Sequence, residues 1–230
     1  MKRTLLFLLV GFLFVFGISG CSISDLISDT NEQAQEYVEK GPEMPEVKNE
    51  YKLIEDGRII PEEAKLIIKE TGDKVIRAIA NNDFKALAYF VHPTKGVRFT
   101  PYTYVSIDTD VVLNKDAVEN FSQDQTIYLW GYYDGTGEEI RLTPSQYYEK
   151  FVYSRDFKNA DCIGYNEVLS SGNMLENQFL IYERPIIVEY YFPGFNPEYG
   201  GMDWQSLRLV FEESGDAWKL VGIIHNQWTI

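Results

Sequence analysis

Two cysteines and two histidines in 230 residues leave little from which to build a nitrogen or sulfur metal site. The chain also lacks a phosphate-cradling glycine loop, a dinucleotide fingerprint, an HExxH helix, a paired-cysteine zinc pattern and a GxSxG elbow. No cofactor is therefore expected, and no reaction class is announced. Asp108-Thr109-Asp110 lacks the further oxygen ligands and the glycine of a calcium loop, and reads as a turn. There is no Lys/Arg cluster, and 35 acidic residues stand against 21 basic ones. A phosphate backbone needs a basic face, so nucleic acid is excluded as a partner.

What is present begins at the N-terminus. Lys2 and Arg3 precede an apolar run from Leu5 to Ile18, interrupted only by Gly11 and Gly17. This is the pattern of an export signal, and the run is shorter than the roughly 20 apolar residues that span a bilayer comfortably. Ile18-Ser19-Gly20-Cys21 resembles the lipobox of bacterial lipoproteins. The resemblance implies that residues 1–21 act as a lipoprotein signal whose cysteine, Cys21, takes a diacylglyceryl group and becomes the mature N-terminus. Two acyl chains anchor stably where one binds only marginally, so the expected location is the outer face of a cell membrane. Loss of Lys2 and Arg3 leaves 19 basic residues against 35 acidic ones, a formal charge of −16. Such a surface is not drawn to anionic lipid, and the lipid itself must hold the chain there. With Cys21 occupied, Cys162 has no partner for an internal disulfide. Its setting, Ala160-Asp161-Cys162-Ile163-Gly164-Tyr165, leans apolar and predicts a buried, inert thiol.

Residues 22–60 are rich in Ser, Asp, Glu and Gln with little apolar periodicity, which predicts a flexible acidic tether. Residues 61–230 are enough for a single domain with a workable core and no staples. Pro61-Glu62-Glu63 opens a helix, because proline suits the first turn and acids complement the dipole there. Ile67, Ile68, Val75, Ile76 and Ile79 carry its apolar face to about Ala80. Asn81-Asn82-Asp83 ends it and caps a shorter helix bearing Phe84, Leu87 and Phe90, which His92-Pro93 must stop. His92 itself suits a cap or a buried hydrogen-bonding role. Short strands follow near Val97–Phe99 and Val111–Leu113, then a small helix capped by Asn114 with Val118 and Phe121 inward.

Thr126 to Thr143 reads as a hairpin turning through Asp134-Gly135-Thr136-Gly137, and Thr143-Pro144-Ser145-Gln146 is a capping box opening a helix to about residue 152. After it come only strands, at Cys162–Leu169, Ile186–Phe192, Leu207–Glu212 and Trp218–Trp228. Helices first and long consecutive strands afterwards is an α+β pattern with an antiparallel sheet. The element order resembles the nuclear transport factor 2-like fold, which implies a strongly curved antiparallel sheet wrapping the N-terminal helices as a cone around a pocket. Phe90-Val91-His92-Pro93, Gly96-Val97-Arg98-Phe99 and the ending Gly222-Ile223-Ile224-His225-Asn226-Gln227-Trp228 are similar to a group of uncharacterised bacterial lipoproteins, a likeness that implies location and no activity.

The last hairpin offers the candidate site. A loop at Ser214-Gly215-Asp216-Ala217 sets Phe211 opposite Leu220, Leu207 opposite Ile224 and Glu212 opposite Lys219. Arg208, Val210, Glu212, Lys219, Val221, Ile223 and His225 then share one face, half apolar and half ionisable, as a pocket wall requires. Glu189, between Ile187 and Tyr191 on the preceding strand, joins them. Glu189 or His225 is the candidate general base and Arg208 the anion holder. Binding surface is expected from Glu189, Arg208 and Tyr191, and from Phe195, Tyr199 and Trp204 in the Gly/Pro/aromatic loop 192–204. Three functions fit. The first is a non-catalytic pocket binding a small molecule, a cell-wall glycan fragment or an envelope protein. The second is a pocket isomerase or hydrolase using Glu189 or His225, and the third is a structural partner that presents the aromatic loop.

Overall fold

The computed structural model describes residues 51–170 and 172–229. The expected signal segment, the expected lipid site at Cys21 and the expected tether from 22 to 50 lie outside the described residues. The remainder of the expected tether lies on the domain. Leu53 bridges Ile59, Ile59 is buried, and the Tyr51 ring lies 6.1 Å from that of Trp218.

Helix α1 (Pro61–Ala80) and helix α2 (Phe84–Phe90) form where proline, acids and the Asp83 cap predicted them, the Asp83 side chain accepting from the Ala86 N–H. Strand β1 (Val97–Thr100), strand β2 (Val111–Leu113) and helix α3 (Lys115–Glu119) follow, then the hairpin of β3 (Tyr128–Tyr132) and β4 (Glu139–Leu142). Thr143 and Gln146 complete the capping box of α4 (Pro144–Tyr147), which runs on as a π-helical turn to Val152. Strand β5 (Cys162–Tyr165) stops four residues earlier than expected, because Asn166 takes a left-handed conformation (φ 52°) and turns the chain away. A short helix α5 (Gln178–Ile181) stands where only strands were expected. Strands β6 (Ile186–Phe192), β7 (Gln205–Ser214) and β8 (Ala217–Gln227) complete the domain.

The fold is α+β, with six strands in the order β2-β1-β8-β7-β6-β5 and a separate two-stranded hairpin. The sheet is not wholly antiparallel. β1 runs parallel to β8, pairing Phe99 with Ile223, since the long excursion from β1 to β8 returns the chain beside its first strand in the same sense. No helix among the described residues is long and apolar enough to cross a membrane.

Two apolar clusters occupy the two faces of this sheet. The larger joins Ile68, Val75, Ile79, Phe84, Phe121 and Trp130 to Phe99, Val188, Leu209, Phe211 and Leu220. Trp130 and Tyr147 stack at 3.9 Å, and the indole N–H donates to the Leu142 carbonyl at 2.9 Å. The smaller cluster, on the outer face, is Val105, Tyr182, Ile187, Val210, Val221 and Ile224. Cys162 is exposed rather than buried, because β5 is an edge strand and its side chain stands clear of both clusters.

The sheet is irregular at one point. Phe211 opposes Leu220 and Glu212 opposes Lys219 as expected, but a β-bulge follows, Val210 pairs with Gly222, and Leu207 faces His225 instead of Ile224. Gly222 is required there, since an added Cβ would overlap the Tyr182 hydroxyl and lie 2.9 Å from its Cζ. That hydroxyl is buried with no hydrogen-bond partner. Gly222→Ala should cost about 1–3 kcal/mol by overpacking, and Tyr182→Phe in the same chain should restore part of it by removing the hydroxyl, while the Cζ contact stays. Urea unfolding of the two single variants and the double variant checks this.

Candidate functional site

The bulge separates the residues expected to converge. Side chains alternate along a strand, so a one-residue slip moves every later side chain to the other face. His225 consequently points to the helix side, where the rings of Phe151 and Phe157 lie 5.7 and 6.5 Å away, and Ile224 takes its place beside Arg208. His225 is 0% exposed; Nε2 lies 3.2 Å from Gln227 Oε1 and Nδ1 has no partner. Burial pushes its pKa down to about 4, so the ring is neutral.

Glu189 and Arg208 do meet, paired across β6 and β7, at 0% and 1% exposure. Arg208 Nε lies 3.1 Å from Glu189 Oε1, an ion pair whose N–H is not aimed along the contact. The two terminal nitrogens are fully committed. Nη1 donates to Thr103 Oγ1 at 2.7 Å and Glu176 Oε2 at 2.6 Å, while Nη2 donates to Glu176 Oε1 at 3.1 Å and to Ser170 Oγ and O at 3.0 and 3.2 Å. Glu189 accepts from the Leu169 N–H at 2.7 Å and from the Ser170 hydroxyl. The arginine therefore has no terminal donor left for a ligand. Sequence reasoning found the Glu189–Arg208 pair and missed its other partners, because Thr103, Ser170 and Glu176 come from loops with no periodic signal.

Loop 192–204 is only partly an exposed surface. Trp204 is buried, with Tyr191 6.2 Å from it and Gly172 packed against its ring. Asp203 ties the loop by accepting from the N–H groups of Phe195 at 3.0 Å and Asn196 at 2.8 Å. Phe195 and Tyr199 are exposed, the former under the Arg155 guanidinium at 4.6 Å. His92 is buried and accepts at Nδ1 from the N–H groups of Thr94 and Lys95.

None of five clefts among the described residues is lined by Glu189, Arg208, His225, Trp130 or Phe151. A cleft of about 410 Å³ does open on the outer face, over the smaller cluster. Val221 at the bulge, Val112 of β2, Ile107 and the Ile181-Tyr182 end of α5 give it apolar walls. Arg98 of β1, Lys95, Glu183 and Glu212 give it charge. Lys95 bridges to Glu212 and reaches Glu183 at 3.5 Å, and the Glu212 hydrogen bond holds its pKa above the ordinary ammonium value. Arg98 Nη1 donates to the carbonyls of Ser106 and Ile107 at 3.0 and 3.2 Å. Behind it, Asp110 accepts from Thr100 Oγ1 at 2.6 Å and the Ser106 N–H at 3.0 Å, and burial pushes its pKa up to about 6. Sequence reasoning missed this cleft. Its residues are scattered over five stretches of chain, and only Val221 and Glu212 belonged to the strand face examined for a site.

Against known protein families, curated proteins and solved structures, the chain shows no match.

Two outcomes follow from these geometries. Arg208→Met leaves the Glu189 carboxylate buried and unpaired and should cost about 3–5 kcal/mol, while Glu189→Met/Arg208→Met should recover a large part of that loss in denaturant unfolding. The second outcome concerns pH. His225 is depressed in the fold, so its contribution is present above the unfolded value of 6.5 and lost as pH falls toward 4. Asp110 is raised, so ionising it costs stability that returns as pH falls through about 6 toward 3.8. Between pH 7 and 4, His225→Gln should lose less stability than the parent and Asp110→Asn more, each by about 2–3 kcal/mol.

Proposed function

We propose that this chain is a lipid-anchored, extracytoplasmic binding domain without catalytic activity, and that the cleft on the outer face of its sheet takes a small molecule. The observation that carries the reading is the contrast between the two faces. The helix side is filled by aromatic side chains such as Trp130, Tyr147 and Phe151, whereas the outer face carries a cleft with apolar walls and a charged rim. Its volume lies within the range of small-molecule sites. A second cleft of similar size, along Lys65, Leu66, Lys69, Glu70 and Asp73, is the exposed flank of one helix and has no opposing wall.

The signal-like N-terminus, with Cys21 as its lipid site, supports the anchor at the outer face of the cell membrane. The strand order, with the first-half helices on one face, supports a nuclear transport factor 2-like cone; in this reading its interior is filled and binding has moved outside. The enzymatic alternative asks Glu189 or His225 to reach a substrate, and both are sealed from solvent. A partner protein on the aromatic loop remains a second reading, favoured by exposed Phe195, Tyr199 and Met202.

Val112 is 44% exposed and belongs to neither apolar cluster. Val112→Trp should fill the cleft and abolish retention of small molecules by the purified chain in native mass spectrometry, with less than about 0.5 kcal/mol change in stability. Equal retention by parent and variant would overturn the assignment of the cleft.

A further inference from the structure

We infer that the ligand class of this cleft is an amphipathic monoanion, an apolar body carrying one carboxylate or acidic ester, an inference that rests on the cleft being the binding site. Arg98 is the residue that decides it. Its guanidinium is fixed by two carbonyls, and no carboxylate among the described residues forms an ion pair with it. The carboxylate behind it, Asp110, is engaged by Thr100 and Ser106. Lys95, at the other end of the cleft, is by contrast held by Glu212 and Glu183.

A half-buried guanidinium whose one neighbouring carboxylate, Asp110, acts on it only at longer range and is hydrogen-bonded elsewhere is left with charge for a ligand to meet. Its free N–H groups form a planar fork suited to a carboxylate or an acidic ester. The neighbouring surface is aliphatic, and two of its side chains, Ile107 at 60% and Val112 at 44% exposure, are poorly covered by protein. An apolar chain laid between Val112, Val221 and Ile181 covers them while its acidic head meets Arg98. Glu183 and Glu212 disfavour a second negative charge at the far end, which selects a monoanion over a dianion.

Isothermal titration of the chain from residue 22 onward, below micellar concentrations and at low salt, tests this with octanoate, octyl sulfate, octanol and octylamine. Octanoate and octyl sulfate should bind at least about tenfold more tightly than octanol or octylamine. Arg98→Gln should reduce octanoate to the affinity of octanol and leave octanol unchanged. Val112→Glu, at an exposed position directly across the strands from Arg98, should set a carboxylate against the guanidinium and abolish octanoate binding. Equal binding of octanoate and octanol, with no effect of Arg98→Gln, would overturn the anion inference while sparing the cleft. No binding of any probe, with parent and Val112→Trp alike, would remove the cleft as well. Tighter binding of octylamine would reverse the sign of the ligand.

Discussion

A guanidinium sealed inside a protein must be surrounded by acceptors, and the arrangement of the outer face follows from how Arg208 meets that demand. Its acceptors come from three separate stretches: Thr103 after β1, Ser170 and Glu176 after β5, and Glu189 on β6. Among the described residues between Glu167 and Asn177 none belongs to a strand, and these contacts, together with those of Asn166, take the place of a ladder. Asn166 accepts from the Ile187 N–H and donates to the Ile59 carbonyl. The pair is thus a structural clamp. Removing one partner is costly because the charge left behind stays buried, which is a different matter from the net worth of the intact pair.

The second constraint is the bulge in β8, and it shows why part of the site was readable in the sequence and part was not. The turn at Gly215-Asp216 and the alternation of Leu207, Leu209 and Phe211 specify the register next to the loop, and there Phe211–Leu220 and Glu212–Lys219 pair as expected. Pattern alone cannot reveal an inserted residue, since Val221, Gly222, Ile223 and Ile224 are all apolar or small and satisfy either face. The only local signal was Gly222, a residue with no side chain in a run of β-branched ones, a known mark of a bulge or a close approach. Here it is both, with Tyr182 pressed against it.

The same division holds across the fold. Helices α1, α2 and α4 were legible because proline, Asp83 and the Thr143–Gln146 box act within one turn of chain. The α+β class was legible from element order. What escaped was set by distant contacts: the parallel pairing of β1 with β8, the short α5 that covers the outer cluster, and the exposure of Cys162 on an edge. None of these has a local cause in the residues concerned.

Two arginines on the same sheet face show where structure ends and availability begins. Arg208 and Arg98 both project from the outer face, and sequence alone gave more weight to Arg208 because Glu189 lay on a neighbouring strand. Burial reverses that order. A fully enclosed cation is stable only when the protein supplies its counter-charge, which exhausts its terminal donors. A cation at a cleft wall is partly solvated, needs no internal counter-ion to fold, and keeps donors for something else. The residue whose electrostatics the fold has already satisfied is therefore the poorer candidate for recognition. By that criterion Arg98, at a cleft wall, is the better candidate for recognition than Arg208, which stands on the same face but is enclosed.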